Sequence, residues 1–256
     1  MIDVCLGKQP PKKYYGEVAV KLIDHIDLEK ALPATRASQT WGGGIHFGMF
    51  LNDIKSCCTC TAYGHAEQVH STKSRKPEHP KDEYVFELYH ETGVEQGLSD
   101  DDGRYMLGVL KHLIEVGFKQ ADGSYEKILG YAAVNPLNHD EVRVADQFFG
   151  GTYFGAALPL SASDQIEEGK AWTVSQDADV NAPGSWGGHA MWSTGYNIRG
   201  PRSVTWSKAQ QMTWEWWDRY VDEQYVVITK DWVQNVTSPS GMRTQDLLDL
   251  LKEING

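Results

Sequence analysis

The sequence predicts an α+β protein, because the hydrophobic period changes partway along the chain. Up to about residue 125 apolar residues recur mainly at helical spacing; beyond it, short β-rich apolar runs take over. A third observation sets the scale. With 256 residues, 41% of them apolar and 23% charged, the chain can bury a sizeable core in one domain or in two closely packed lobes. We divide it into an N-terminal arm over 1–40 and a domain over 41–256. Within that domain we place a helical lobe at about 41–125, a β-rich lobe at about 126–235 and a C-terminal helix at 244–254.

Each element has its own signal. Residues 8–40 read as an irregular arm with one short helix around Glu17–Leu28, ending at Leu32-Pro33-Ala34. Trp41-Gly42-Gly43-Gly44 is a turn, and Thr59–His70 reads as a helix despite Gly64. Residues 71–82, rich in Lys, Pro and His, form a loop before a helix that begins over Glu83–Glu91. The acidic run Ser99–Asp102 reads as a helix cap, since Met106, Leu107, Leu110, Leu113 and Ile114 follow at helical spacing and Gly117 stops them. Strands are expected over Lys127–Val134, Tyr153–Leu160, Ala190–Tyr196, Ser203–Trp206 and Gln224–Thr229, with a helix at Asp140–Phe149 between the first two. Thr244–Ile254 reads as a last amphipathic helix.

Charge and composition narrow the function classes. A formal charge of −11 argues against nucleic acid, because phosphate contacts need clustered Lys and Arg, and Lys73-Ser74-Arg75-Lys76 is better read as a solvated loop. The longest apolar runs, near Ile128–Val134 and Phe148–Leu160, fall short of the roughly 20 residues that span a bilayer, so no membrane partner is expected. Met1–Lys8 lacks a basic segment followed by an apolar one, so no signal peptide is expected. Four cysteines, three of them within Cys57–Cys60, suit a reduced compartment better than a disulfide framework.

Two segments carry the chemistry: Asn52-Asp53-Ile54-Lys55-Ser56-Cys57-Cys58-Thr59, and Gly187-Gly188-His189-Ala190. A thiol attacks a carbonyl as thiolate, and an isolated cysteine ionises near 8.5. Cys58 at the N-terminal end of a helix and His189 within hydrogen-bond reach are two devices that lower this value. His189 then returns the proton to the departing amine. The oxyanion needs donors, for which the Cys58 N–H and the Asn52 side-chain amide are candidates; an ionised Asp53 cannot donate.

On these residues the chain resembles the papain-like cysteine peptidases. Asn52 falls at the family's glutamine, Ser56-Cys57 at its Gly-Ser and Cys58 at its nucleophile, while His189-Ala190-Met191 through Gly195-Tyr196 matches the strand that carries its base. His189 lies about 130 residues beyond Cys58, within the family's spacing. Gly103–Gly117 and residues 140–158 are similar to its middle helix and to its helix followed by a strand, so roughly 45–230 is covered. A closer likeness is to uncharacterised papain-like proteins of phages and prophages, through Asn52–Thr59, Gly184–Ala190 and Thr205–Trp214. The resemblance implies a helical lobe packed on a barrel-like β lobe with the site in the cleft between them. It also implies a cytoplasmic or virion-associated setting. One departure concerns the histidine: Val204 stands where the family has an orienting asparagine, so Thr205 or a residue from elsewhere must hold the imidazole, and Trp206 can shield it. There is no room before Cys58 for a typical long inhibitory propeptide, so activation by proteolysis is not expected.

The reading is therefore a thiol-dependent amide hydrolase acting on a peptide or other amide, with a Cys58/His189 dyad, Asn52 in the oxyanion hole and no cofactor. Two alternatives stand beside it: a papain-like structural or interaction protein with little or no activity, and an acyltransferase using the same dyad. Other residues have blander explanations. Cys57, Cys58, Cys60 and His65 lack the second cysteine pair of a zinc site. Cys57 and Cys60 could cap the thiol as a disulfide, but simple burial is preferred. His65 and His70 do not share a helix face well. Trp214, Trp216 and Trp217 are better read as packing than as a sugar-binding surface. Asp100–Asp102 lacks the downstream glutamate of an EF-hand loop.

Overall fold

The computed structural model describes residues 4–11, 20–32, 36–235 and 237–255. Helix α1 (Cys58–Lys73) is buried on nearly every side. A helix surrounded by protein has no need of an apolar stripe, and its polar side chains find partners instead. His65 bonds Gly48 O at 2.8 Å, and His70 spans Thr229 Oγ1 and Phe149 O, both at 2.9 Å. Helices α2 (Asp82–Gln96) and α3 (Met106–Glu115) pack beside it. Of the expected Glu17–Leu28 helix, residues 17–19 lie outside the described residues; the remainder holds a 3₁₀ turn at Leu22–Asp24 and a helical turn at Leu28–Ala31.

Behind α1 stands a seven-stranded antiparallel sheet among the described residues. Its strands are β1 (Gln39–Thr40), β2 (Gly130–Ala133), β3 (Tyr153–Leu158), β4 (Gly187–Asn197), β5 (Gly200–Thr205), β6 (Lys208–Gln211) and β7 (Val221–Ile228). The order is β2-β7-β3-β4-β5-β6, with β1 also paired to β4. Helix α4 (His139–Phe148) connects β2 to β3, α5 (Leu160–Glu167) follows β3, α6 (Trp214–Tyr220) joins β6 to β7, and α7 (Thr244–Asn255) ends the described chain. No helix among the described residues is long and apolar enough to cross a membrane.

One expectation needs correction. The acidic run does not cap α3, whose N-cap is Tyr105 with no side-chain cap bond. It instead wraps the buried Arg104, whose guanidinium donates to Tyr89 O at 2.9 Å and to Ser99 O and Asp102 O at 2.8 Å, and stacks over the Tyr89 ring. A buried guanidinium needs all its donors satisfied, and that demand sets the loop. Elements β6, α5 and α6 also escape sequence reading. Lys208–Gln211 has no apolar alternation, and Trp214–Tyr220 is under two turns long. Trp216 and Trp217 are nonetheless fully buried, and Trp214 stacks on His139, so this cluster is packing.

Candidate active site

Cys58 is the first residue of α1, so its sulfur sits where orphan backbone N–H groups point. The preceding loop is clamped to the helix: Phe50 O accepts from Cys57 Sγ at 3.3 Å and from Thr61 Oγ1 at 3.5 Å. Phe50 and Leu51 both take positive φ, 54° and 61°. Non-glycine residues avoid that conformation unless the surroundings hold them there.

His189 lies near the start of β4, its backbone paired with Ala156 of β3. Its Nε2 shares a hydrogen bond with Thr205 Oγ1 at 2.7 Å, and its ring stacks on Trp206 at 4.4 Å, 13° from parallel. Trp206 and Ser207 form the two-residue β5–β6 turn with φ of 44° and 61°. Such hairpin turns normally hold Asn-Gly; here the strained turn places an indole over the imidazole. Nδ1 is buried with no hydrogen-bond partner. The residue after His189 reaches the thiol, since Ala190 N–H donates to Cys58 Sγ at 3.4 Å. The fold thus brings Cys58 against the main chain of the residue after His189 and gives the imidazole to Thr205, with Val204 also buried. Asn52 is buried in the clamped loop with its amide oxygen unpartnered, and no hydrogen bond joins it to Cys58 or His189.

Sequence reasoning missed what closes the site. Residues 4–9 run through the cleft as a strap. Lys8 N–H donates to Gly188 O at 3.0 Å, Arg104 N–H to Gly7 O at 2.8 Å, and Gln9 N–H to Arg104 O at 3.0 Å, a parallel bridge. The approach is so close that a Cβ on Gly7 would stand 1.9 Å from Ser56 O, and one on Gly103 1.9 Å from Gly7 O. This short segment is enough to cover the thiol.

Burial sets the protonation of the pair. Cys58 and His189 are both fully buried. Burial pushes the Cys58 thiol up to about 11, against the opposing pull of the Ala190 and Gly7 N–H groups and the Lys8 ammonium. Burial, with a smaller push from His65, takes His189 down to about 3. Thiol and imidazole are therefore both neutral with the strap in place, and the thiolate expected from helix dipole and histidine is not the species in this closed arrangement. Cys57 and Cys60 are buried beside the helix start, where desolvation raises both; Cys60 reaches about 12. Among the described residues, no group of three or more His, Cys, Asp or Glu side chains could hold a metal ion.

Helices packed on an antiparallel sheet, with a cysteine at a helix tip against the strand that carries a histidine, are the arrangement of the papain-like fold. No protein-family model and no curated protein sequence matches the chain. Solved structures do. The chain is similar to xylellain, a cysteine protease from Xylella fastidiosa, with a TM-score of 0.68 at 14% identity over 89% of this chain and 97% of that one. It is also similar to procathepsin B S9 from Trypanosoma congolense, at 0.58, 9% identity, and 88% and 86% of the two chains. The digestive procathepsin L 3 of the Tenebrio molitor larval midgut gives 0.51, 10% identity, and 87% and 76% coverage.

Proposed function

We propose that the protein is a thiol-dependent amide hydrolase of the cysteine-peptidase type, held closed by its own N-terminal strap. The supporting observation is the arrangement of Cys58 at the tip of α1 against the start of β4, with His189 held through Nε2 by Thr205 and its Nδ1 left unpartnered. A ring held at one nitrogen keeps the other free to take a proton, which is what the base of a nucleophile–base–orienter set needs.

Once the strap leaves, the burial that keeps both groups neutral is lifted. The Cys58 proton passes to His189 Nδ1, and the thiolate adds to the substrate carbonyl carbon. The oxyanion so formed takes hydrogen bonds from the Cys58 N–H and, in this proposal, from the Asn52 side-chain amide. His189 returns its proton to the leaving nitrogen as the C–N bond breaks, leaving a thioester on Cys58. Water deprotonated by His189 then releases the acid and restores the thiol. An amine in place of that water would make the same residues an acyltransferase. The likeness to phage-encoded proteins adds a setting: a host cytoplasm or a virion.

The test is an activated ester offered to a strap-opened variant. An acyl adduct confined to Cys58, absent in Cys58→Ala and not turned over in His189→Ala, is the expected result. A chain that never acylates while remaining folded would support the structural or interaction protein instead.

A further inference from the structure

We propose that the far end of the sheet carries a docking groove for an acidic peptide segment of a partner protein, built around Arg202 with Arg36 and Arg199 on either side. The groove stands apart from the hydrolase reading, because it lies at the opposite end of β4 from the thiol. Asn197 follows His189 by eight residues on that strand, which at about 3.4 Å per residue is about 27 Å.

Two cavities of about 260 and 430 Å³ open there and share a wall. Arg202 and Asn197 line both, Arg36 lines the smaller and Arg199 the larger. The remaining lining is amide, hydroxyl and methyl groups, with no acidic side chain in either wall. Among the described residues, none of the three guanidiniums has an ion-pair partner, whereas Arg104, Arg143 and Arg243 pair with Asp100, Asp140 and Asp246. In a chain with a formal charge of −11, three arginines gathered without carboxylates mark a site for an anion supplied by another molecule.

The strand register builds the groove. Thr40 pairs with Gly195, Gly195 with Arg202 and Arg202 with Gln211, so the four form one row across β1, β4, β5 and β6. Register partners share a face of the sheet. Gly195, with φ of 131°, leaves the middle of the row without a side chain; a Cβ there would stand 2.1 Å from Gln39 O. Arg202 is held in place: its Nε donates to Gln211 Oε1 at 2.9 Å, and the same oxygen accepts from Asn197 Nδ2 at 2.7 Å. The Gln211 amide is fixed in turn, since its Nε2 donates to Pro201 O at 2.8 Å and to Met212 O at 2.7 Å. The two terminal nitrogens of Arg202 are left for a carboxylate, which such a fork binds through two parallel hydrogen bonds. A guanidinium already held at Nε loses less freedom on binding than a loose one. Main-chain bonds set the other two arginines: Tyr196 OH donates to Arg36 O at 2.9 Å, and Arg199 N–H donates to Asn197 Oδ1 at 2.8 Å.

Shape and surroundings select the partner. Strands about 4.8 Å apart make the row about 14 Å long, the span of about four extended residues. Neither cavity has an aromatic ring on which a base could stack. The net negative charge of the chain repels a polyanion or an anionic bilayer. Ile198, 92% exposed between Asn197 and Arg199, offers an apolar contact beside the charges. A short extended segment with two or three Asp or Glu residues and an apolar neighbour meets all of these features.

The test uses the full-length chain and two fluorescein-labelled peptides, Gly-Glu-Leu-Asp-Glu-Gly and its neutral counterpart Gly-Gln-Leu-Asn-Gln-Gly, read by anisotropy in about 50 mM salt. The acidic peptide should bind at least about tenfold more tightly than the neutral one. Arg202→Gln should weaken it about tenfold, Arg199→Gln about threefold, and Arg202→Lys nearly as much as Arg202→Gln, because an ammonium lacks the fork. Arg219→Gln, an exposed arginine of α6 outside the groove, should stay within about twofold of the native chain. Equal binding of the two peptides, or equal affinities of Arg202→Gln, Arg199→Gln and Arg219→Gln, would overturn the groove. Inorganic phosphate, a uridine hexanucleotide and phosphatidylserine vesicles serve as competitors. Displacement of the labelled peptide by any of them at a lower concentration than the unlabelled acidic peptide requires would overturn the peptide assignment.

Discussion

Substituting Gly7 by alanine is the most informative change to the closed site. The added Cβ meets Ser56 O at 1.9 Å and Ser56 C at 2.3 Å, and both are backbone atoms that no rotamer change can move aside. The strap must lift where it covers Cys58. Three backbone hydrogen bonds hold it there, from Lys8, Arg104 and Gln9. At about 1 kcal/mol each they contribute about 3 kcal/mol. Losing that much raises the open fraction by about a hundredfold. We expect iodoacetamide at neutral pH to modify Cys58 of Gly7→Ala up to about a hundredfold faster than in the native chain, followed by peptide mapping. Cys57 and Cys60, buried under the helix start, should stay slow in both and serve as internal references. Gly103→Ala should act likewise from the other side, since its Cβ would strike Gly7 O. Labelling of Cys58 within twofold of native in both variants, with unchanged circular dichroism, would refute the strap.

Three further outcomes follow from other parts of the structure. Thr205→Val removes the hydroxyl that holds His189 Nε2 while keeping the shape; in a strap-opened background it should lower ester turnover about tenfold to a hundredfold with little change in melting temperature. Arg104→Met removes three hydrogen bonds from a buried guanidinium and should destabilise the fold by about 3–5 kcal/mol in urea unfolding. Asp146 is fully buried, and desolvation pushes its carboxyl up to about 7 although Ser193 and Thr152 donate to it. The unfolded chain gives up this proton near 3.8 and the folded chain only near 7, so the folded state binds more protons between those values. The stability Asp146 contributes is therefore complete below pH 3.8 and is lost as pH rises towards 7, by up to about 1.4 kcal/mol per unit. Asp146→Asn should remove that downward contribution from urea midpoints measured between pH 5 and 7; an identical slope in both proteins would contradict it.

What was legible in the sequence depended on whether side chains or backbone made the structure. Strand β4 announces itself through its β-rich run, whereas α1 carries no apolar stripe; Cys58 and His189 stand out as candidates through residue type, glycine context and their separation together. The holder of the imidazole was left open between Thr205 and a residue elsewhere. Aligning the family's asparagine put Val204 in that place, but the β4–β5 hairpin register puts the hydroxyl one residue further along at the ring. The strap was illegible because its grip is main chain on main chain, which leaves no mark beyond a glycine where Gly7 crosses Ser56. The buried ion pair between Lys8 and Glu223 was invisible for a related reason: one lysine and one glutamate at opposite ends of a chain are no pattern until the sheet brings them together. The acidic run misled because Asp100–Asp102 has the composition of a cap while its main-chain carbonyls serve Arg104.

In the proposed mechanism the Cys58 thiol gains its reactivity when residues 4–9 leave the cleft. Intact-mass spectrometry of Gly7→Ala after brief exposure to an activated ester tests this most directly. One acyl group per chain, mapped to Cys58, lost with time in the parent and retained when His189 is replaced by alanine, is the predicted record. A folded Gly7→Ala protein that stays at its unmodified mass would contradict it.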